Sequence, residues 1–322
     1  MITETIKLIT GRDDVTLTTY IRDNIQKEVN PQMKRPAVII CPGGAYFNCS
    51  DGEGESIAIS FMEMGYHAFV LRYSVYNKSG KEMGFGMKAE DMEIDENSLF
   101  PNPMLDIGRA FVEIHKHANE WGVDTDHMAV CGFSAGAHNC AMYSTYWSTT
   151  VAKGLGVDPQ ILQPHACILG YCLSDYVYMK EMEPRMAPMD AGFFKASARA
   201  YLGDNYENDE SLLEVSPARN VNSQNPPTYL WATAEDNLVP VQHTIRMAHA
   251  LADHKIPFEL HIYEKGPHGL SNATQSSAAA HSLIYPEAAT WVPLCNTWLL
   301  KRFALQIPDV TPWEDLMENG LG

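Results

Sequence analysis

Gly132-Phe133-Ser134-Ala135-Gly136 constrains this chain more tightly than any other stretch of its 322 residues. A serine with glycine two positions before and two after it fits a sharp strand-to-helix turn. There the serine backbone is strained, and its neighbours approach too closely for a large side chain. The flanks supply the context. Met128-Ala129-Val130-Cys131 is a short apolar run suited to a buried strand, and Ala135 to Trp147, rich in Ala and Met, suits a helix. The order strand, Gly-x-Ser-x-Gly, helix presents a serine hydroxyl at the end of a strand.

Residues 15 to 22, Val-Thr-Leu-Thr-Thr-Tyr-Ile-Arg, alternate apolar and polar side chains, which predicts a half-solvated strand in an antiparallel edge hairpin. Ala37 to Cys41 is apolar throughout, as a strand covered on both faces requires, and runs straight into Pro42-Gly43-Gly44-Ala45-Tyr46. A helix capped at Ser50 or Asp51 and ended by Gly65, then the run His67-Ala68-Phe69-Val70-Leu71, completes a βαβ unit. Met104, Ile107, Phe111, Ile114, Ala118 and Trp121 recur at helical spacing ahead of the strand that feeds Ser134. Downstream, Ala166 to Tyr171, Thr228 to Ala234 and Phe258 to Tyr263 read as strands. Pro240 opens a helix reaching Leu251, and another helix near 289 to 303 closes the fold. This alternation predicts an α/β fold with a mostly parallel central sheet and helices on both faces. The whole chain, 1–322, reads as a single domain with insertions at 76–100 and 176–215, both after strands, where they are placed to act as lids or covers.

The formal net charge of −17 repels a phosphate backbone or an anionic bilayer, so neither nucleic acid nor membrane is an expected partner. No apolar run is long enough to span a bilayer, and the first residues lack the basic-then-apolar pattern of a secretory signal. The expectation is a cytoplasmic protein. Seven cysteines, at positions 41, 49, 131, 140, 167, 172 and 295, show no Cys-x-x-Cys pairing and read as reduced core thiols. The histidines form no ligand cluster and the glycine loop is not Gly-x-Gly-x-x-Gly, so neither a metal nor an organic cofactor is expected.

A serine hydroxyl needs a base within hydrogen-bond reach, itself oriented by a third group. His268 is the best-placed base, in the tight loop Lys265-Gly266-Pro267-His268-Gly269 after the last strand. His138, four residues after Ser134 on the helix, points away from the hydroxyl and is left a supporting role. The orienting acid is expected after the strand Thr228 to Ala234, where Asp236 is preferred over Glu235, and over Asp175 near the preceding strand. Donors for a developing oxyanion are available from the backbone N–H groups of Gly43, Gly44 and Ala45, together with that of Ala135 at the start of the nucleophile helix. The chain order glycine loop, Ser, Asp, His, each after a strand, is that of the α/β-hydrolases.

On these residues the chain resembles the α/β-hydrolase superfamily, and within it the hormone-sensitive-lipase and BD-FAE-like esterases, many of them carbohydrate or acetylxylan esterases. The similarity covers roughly residues 14 to 302. It rests on Arg35 to Tyr46, Leu71-Arg72-Tyr73-Ser74-Val75, Gly132 to His138, Glu235 to Pro240 and Gly266-Pro267-His268-Gly269. The resemblance implies Ser134 as nucleophile, Asp236 as orienter, His268 as base, and Gly43, Gly44, Ala45 and Ala135 as the oxyanion hole. Two departures stand out. Pro42 and Ala45 replace the first His and third Gly of the lipase-type loop, and the Ala45 methyl narrows the acyl side. The stretch from Leu270 to Thr290 is long, and reaches back over the site or joins a homo-oligomer interface. The implied function is a serine carboxylesterase hydrolysing short-chain acetyl esters, of sugars or xylo-oligosaccharides, through an acyl-enzyme. Its partner would be a small-molecule ester, with Tyr46 in substrate binding and Tyr73 and Trp147 as further rings for a sugar face. The alternatives from the same frame are a prolyl-oligopeptidase-like peptidase and a non-catalytic ligand-binding member of the fold.

Overall fold

The structure, a computed structural model, describes residues 1–24, 33–76 and 86–319. Eight strands form one sheet: β1 (Thr5–Ile9), β2 (Arg12–Tyr20), β3 (Arg35–Cys41), β4 (His67–Arg72), β5 (Val123–Phe133), β6 (Ala166–Gly170), β7 (Thr228–Thr233) and β8 (Phe258–Tyr263). Their order across the sheet is β1-β2-β4-β3-β5-β6-β7-β8. The alternating stretch at 15 to 22 supplies the second half of β2 in the antiparallel hairpin β1/β2; because β2 also pairs antiparallel with β4, Val15, Thr16, Leu17, Thr19, Tyr20 and Ile21 are buried rather than half-solvated. From β4 to β8 every pairing is parallel, so the strand ends that precede Gly43, Ser134, Asp236 and His268 share one edge of the sheet. That edge is where sites form in parallel sheets.

All seven residues of β3 are buried, which is why its sequence shows no alternation. Period-two geometry still separates its side chains. Ile39 joins the core under α2 (Asn102–Trp121) and α3 (Ala135–Tyr146), whereas Val38 and Ile40 join the opposite core against α1 (Glu55–Glu63) and α6 (Trp291–Phe303). Two further helices matter here, α4 (Pro188–Leu202) and α5 (Gln242–Asp253). Beneath the site the second core is ring-rich: Trp231 stacks on Trp291 at 5.2 Å, and Phe133 meets Trp291 edge-on. Aromatic pairs of this kind add roughly 0.5–1.5 kcal/mol beyond their burial.

The long segment after His268 folds back on the sheet edge. Leu270, Ser271, Asn272 and Ala273 are buried, and Ser271 Oγ donates to the Gly52 carbonyl at 2.7 Å. Within the 76–100 insertion, residues 77–85 lie outside the described residues. The seven cysteines are free, six of them buried and Cys49 partly so. Among the described residues no helix is long and apolar enough to cross a membrane.

Candidate active site

Ser134 follows β5 directly and adopts φ 52°, ψ −119°, a strained conformation for a residue with a side chain. The turn closes so tightly that a Cβ on Gly136 would lie 2.0 Å from the Cys41 carbonyl oxygen, and one on Gly132 2.3 Å from that of Gly136. Steric exclusion is therefore the origin of the glycine spacing.

His268 Nε2 lies 2.8 Å from Ser134 Oγ, and its Nδ1 lies 2.7 Å from Asp236 Oδ2. The other Asp236 oxygen accepts the N–H groups of Leu238 at 3.0 Å and Val239 at 2.9 Å, so the carboxylate is fixed by its own loop. An ionised carboxylate has no proton to give. Nδ1 therefore carries the hydrogen, and Nε2 is left to accept from the serine hydroxyl. The Asp236 side chain is 1% exposed and that of His268 13%, which leaves the imidazole reachable from the cavity. Of the rival acids, Glu235 accepts from Gly266 N–H at 3.3 Å, while Asp175 caps a helix through Tyr178 N–H and pairs with Arg219 at 2.8 Å. His138 is buried beneath the glycine loop. Its Nε2–H donates to the Val215 carbonyl at 2.7 Å, leaving Nδ1 to accept from Tyr46 Oη at 2.5 Å, and burial lowers it to about 4.

Gly44, Ala45 and Ala135 line the same cavity as Ser134, and among the described residues their N–H groups have no acceptor. Gly43 departs from the sequence expectation. Its N–H donates to Glu53 Oε2 at 2.6 Å and is thereby engaged within the protein. Tyr46 also departs from it. Ala45 and Tyr46 both have positive φ, 53° and 62°, which turns the Tyr46 ring inward, where it is fully buried and stacked on Tyr201 at 4.1 Å. Tyr73 and Trp147 are likewise core residues, donating to the carbonyls of Pro42 and Gln224.

The cavity above Ser134 encloses about 670 Å³. Its lining divides by chemistry. Asn48, Ser50, Asp51 and Arg72 supply hydrogen-bonding groups, whereas Leu173, Phe193, Phe194, Leu238 and Val239 supply apolar surface. Arg72 pairs with Asp51 and donates to the Cys49 carbonyl. Phe193 and Phe194 come from α4, within the 176–215 insertion, and Ser197 Oγ ties that helix to the glycine loop by donating to the Ala45 carbonyl at 2.9 Å.

Sequence reasoning missed Glu53. This carboxylate lines the cavity at 4% exposure, holds Gly43 N–H with one oxygen, and accepts from Tyr171 Oη at 2.5 Å with the other. The Tyr171 ring meets His268 edge-on at 4.9 Å. The only signal available was an acid ten residues beyond the first glycine, in a polar turn-like run.

Residues 24–251 match the family described as BD-FAE. The chain is 30% identical over 244 residues to endo-1,4-beta-xylanase B of Butyrivibrio fibrisolvens, covering 76% of this chain and 34% of that protein. It is 25% identical over 242 residues to an acetylxylan esterase of Xylanibacter ruminicola, covering 74% of this chain and 42% of the relative. The chain thus spans about a third to two fifths of these curated relatives. Among solved structures, an acetyl ester-xyloside bifunctional hydrolase from Caldicellulosiruptor lactoaceticus superposes with a TM-score of 0.68 at 25% identity, over 92% of this chain and 96% of that one. With the family matched over more than half its length and the sheet, turn and loops of an α/β-hydrolase in place, this chain belongs to the BD-FAE family.

Proposed function

We propose that the chain is a serine carboxylesterase that removes short acyl groups, acetyl above all, from hydroxyls of sugars or xylo-oligosaccharides. The observation that carries this reading is the unbroken row from Ser134 Oγ through His268 to Asp236, opening on a cavity. Ser134 Oγ attacks the ester carbonyl carbon as His268 Nε2 takes the hydroxyl proton, and Asp236 stabilises the imidazolium that forms. The N–H groups of Gly44, Ala45 and Ala135 receive the negative charge on the carbonyl oxygen. Collapse of that adduct breaks the ester C–O bond and returns the proton to the leaving alcohol. Water, deprotonated by His268, then releases the acid and regenerates the serine.

Two features support the substrate class. The Ala45 methyl beside the nucleophile leaves less acyl room than a glycine would, which favours acetyl. Asn48, Ser50, Asp51 and Arg72 offer donors and acceptors suited to a polyhydroxylated alcohol, and a relative named as an acetylxylan esterase points the same way. The test is acetate release from acetylated xylo-oligosaccharides beside a series of p-nitrophenyl acetate, butyrate and octanoate. The reading predicts free acetate and a kcat/KM that falls with acyl length. Preference for octanoate, with no acetate released from the sugar, would contradict it.

A further inference from the structure

Glu53 is a buried carboxylate that the Ser134, His268, Asp236 row does not use. Its two oxygens are both spoken for, and by segments with different tasks. Oε2 accepts from Gly43 N–H at 2.6 Å, on the loop whose next two residues line the cavity as free donors. Oε1 accepts from Tyr171 Oη at 2.5 Å. That hydroxyl in turn accepts from Ser271 N–H at 3.0 Å, three residues beyond His268. Counting hydrogens fixes the arrangement. Gly43 N–H and Ser271 N–H can only donate, so the single Tyr171 proton goes to Glu53, and the carboxylate accepts at both oxygens as the ionised form does. Burial pushes Glu53 above the ordinary carboxylate range, and the Tyr171 and Gly43 bonds oppose that push. Leaving such a carboxylate buried without donors would cost far more than its hydrogen bonds return.

From this geometry we propose that Glu53 is a positioning residue, which locks the oxyanion loop and the His268 loop into one register through the chain Gly43, Glu53, Tyr171, Ser271. The proposal rests on the esterase reading. The reacting carbonyl must meet Ser134 Oγ and the N–H donors at once, while His268 must stay within reach of the same oxygen, so the two loops need a common reference. Ser271 strengthens it from a second side: its backbone takes φ 54°, its hydroxyl donates to Gly52 and its carbonyl accepts from Trp291 Nε1 at 2.9 Å. The Tyr171 ring, edge-on to His268, makes the same link by contact.

The test compares Glu53→Gln and Tyr171→Phe with the wild-type chain on p-nitrophenyl acetate, normalising rates to active sites titrated with a fluorophosphonate. Glutamine keeps the size but cannot accept from both partners. The expected result is a kcat lower by about 10- to 100-fold in Glu53→Gln with KM changed less than about threefold, because misplacement of this order acts on the transition state. Tyr171→Phe keeps the carboxylate and its bond to Gly43 but removes the hydroxyl that joins Glu53 to Ser271, with an expected loss of about three- to tenfold. Glu53→Asp keeps the charge but is too short to bridge, so it should not restore kcat. A lower Tm with wild-type kcat per titrated site in both variants would reduce Glu53 to a fold-stabilising role and overturn the proposal. Should Glu53→Gln not fold, Tyr171→Phe decides alone. Amide hydrogen exchange at Gly43 and Ser271 separates this proposal from the esterase reading, since it needs no turnover. If the wild-type chain hydrolyses no ester, exchange at Ser271 about tenfold or more faster in Tyr171→Phe still supports the lock. Unchanged exchange overturns it.

Discussion

Asp236 and Glu53 approach the serine-histidine pair as two buried carboxylates, and they are held in opposite ways. Asp236 is fixed locally, by N–H groups two and three residues further along its own loop, and touches His268 directly. Glu53 is fixed by partners 10 and 118 residues away, and touches loops rather than reacting atoms. The difference separates two tasks. A group that stabilises imidazolium must contact it, whereas a group that sets the distance between loops must span them.

The largest effect that can break this comparison is on the Asp236 side. Asp236→Asn preserves the loop but offers an amide to Nδ1, disturbing the tautomer that leaves Nε2 free for serine. The expected loss in kcat is about 10³- to 10⁴-fold. A steady-state assay on p-nitrophenyl acetate checks it, and a loss no greater than that of Glu53→Gln would erase the distinction between the two acids. Next in size is the Glu53→Gln effect of about 10- to 100-fold, which must fall below that of Asp236→Asn.

A third prediction separates loss of the fold from loss of the site. Burial lowers His67 and His138 to about 4 and His243 to about 3. In the unfolded chain these groups titrate near the ordinary 6.5, so the unfolded state binds their protons first as the medium is acidified. Stability is full above pH 6.5 and is lost as the pH falls toward 4, by up to about 3 kcal/mol for each histidine. Glu53 and Asp106 have the opposite sign, since a carboxyl raised by burial favours the folded state when protonated, but they are two groups against three. Calorimetry between pH 8 and 4 should show Tm descending through this window. A flat Tm would mean that the histidines are not held neutral. The smallest effect concerns Tyr46→Phe, which gives up the hydrogen bond to His138 and keeps the stack on Tyr201. It should cost about 1 kcal/mol in urea denaturation and leave kcat within about twofold. A large rise in KM would instead return Tyr46 to the substrate.

The same contrast explains what was legible in the sequence. Strands β3, β4, β6, β7 and the second half of β5 announce themselves as apolar runs because both faces of the sheet are covered there, whereas the edge strand β8 alternates and is partly exposed; the residues that follow β3, β5, β7 and β8 share one edge by parallel topology. Ser134, Asp236 and His268 could therefore be chosen from their positions after strands. Gly43 and Tyr46 could not be judged that way. The N–H of Gly43 is taken by a carboxylate whose burial depends on Tyr171, far along the chain, and Tyr46 turns inward through two consecutive positive-φ residues in a loop of unusual conformation. Glu53 sits in Asp51-Gly52-Glu53-Gly54-Glu55, a run that resembles a solvated turn, and only the fold supplies the donors that bury it.

The central claim, nucleophilic catalysis by Ser134, is tested most directly by rapid-mixing hydrolysis of p-nitrophenyl acetate with wild-type protein and Ser134→Ala in parallel. The account predicts a burst of p-nitrophenol near one equivalent per chain, absent from the variant together with most of the steady-state rate. Equal turnover in the two proteins, or none in the wild type, would contradict it.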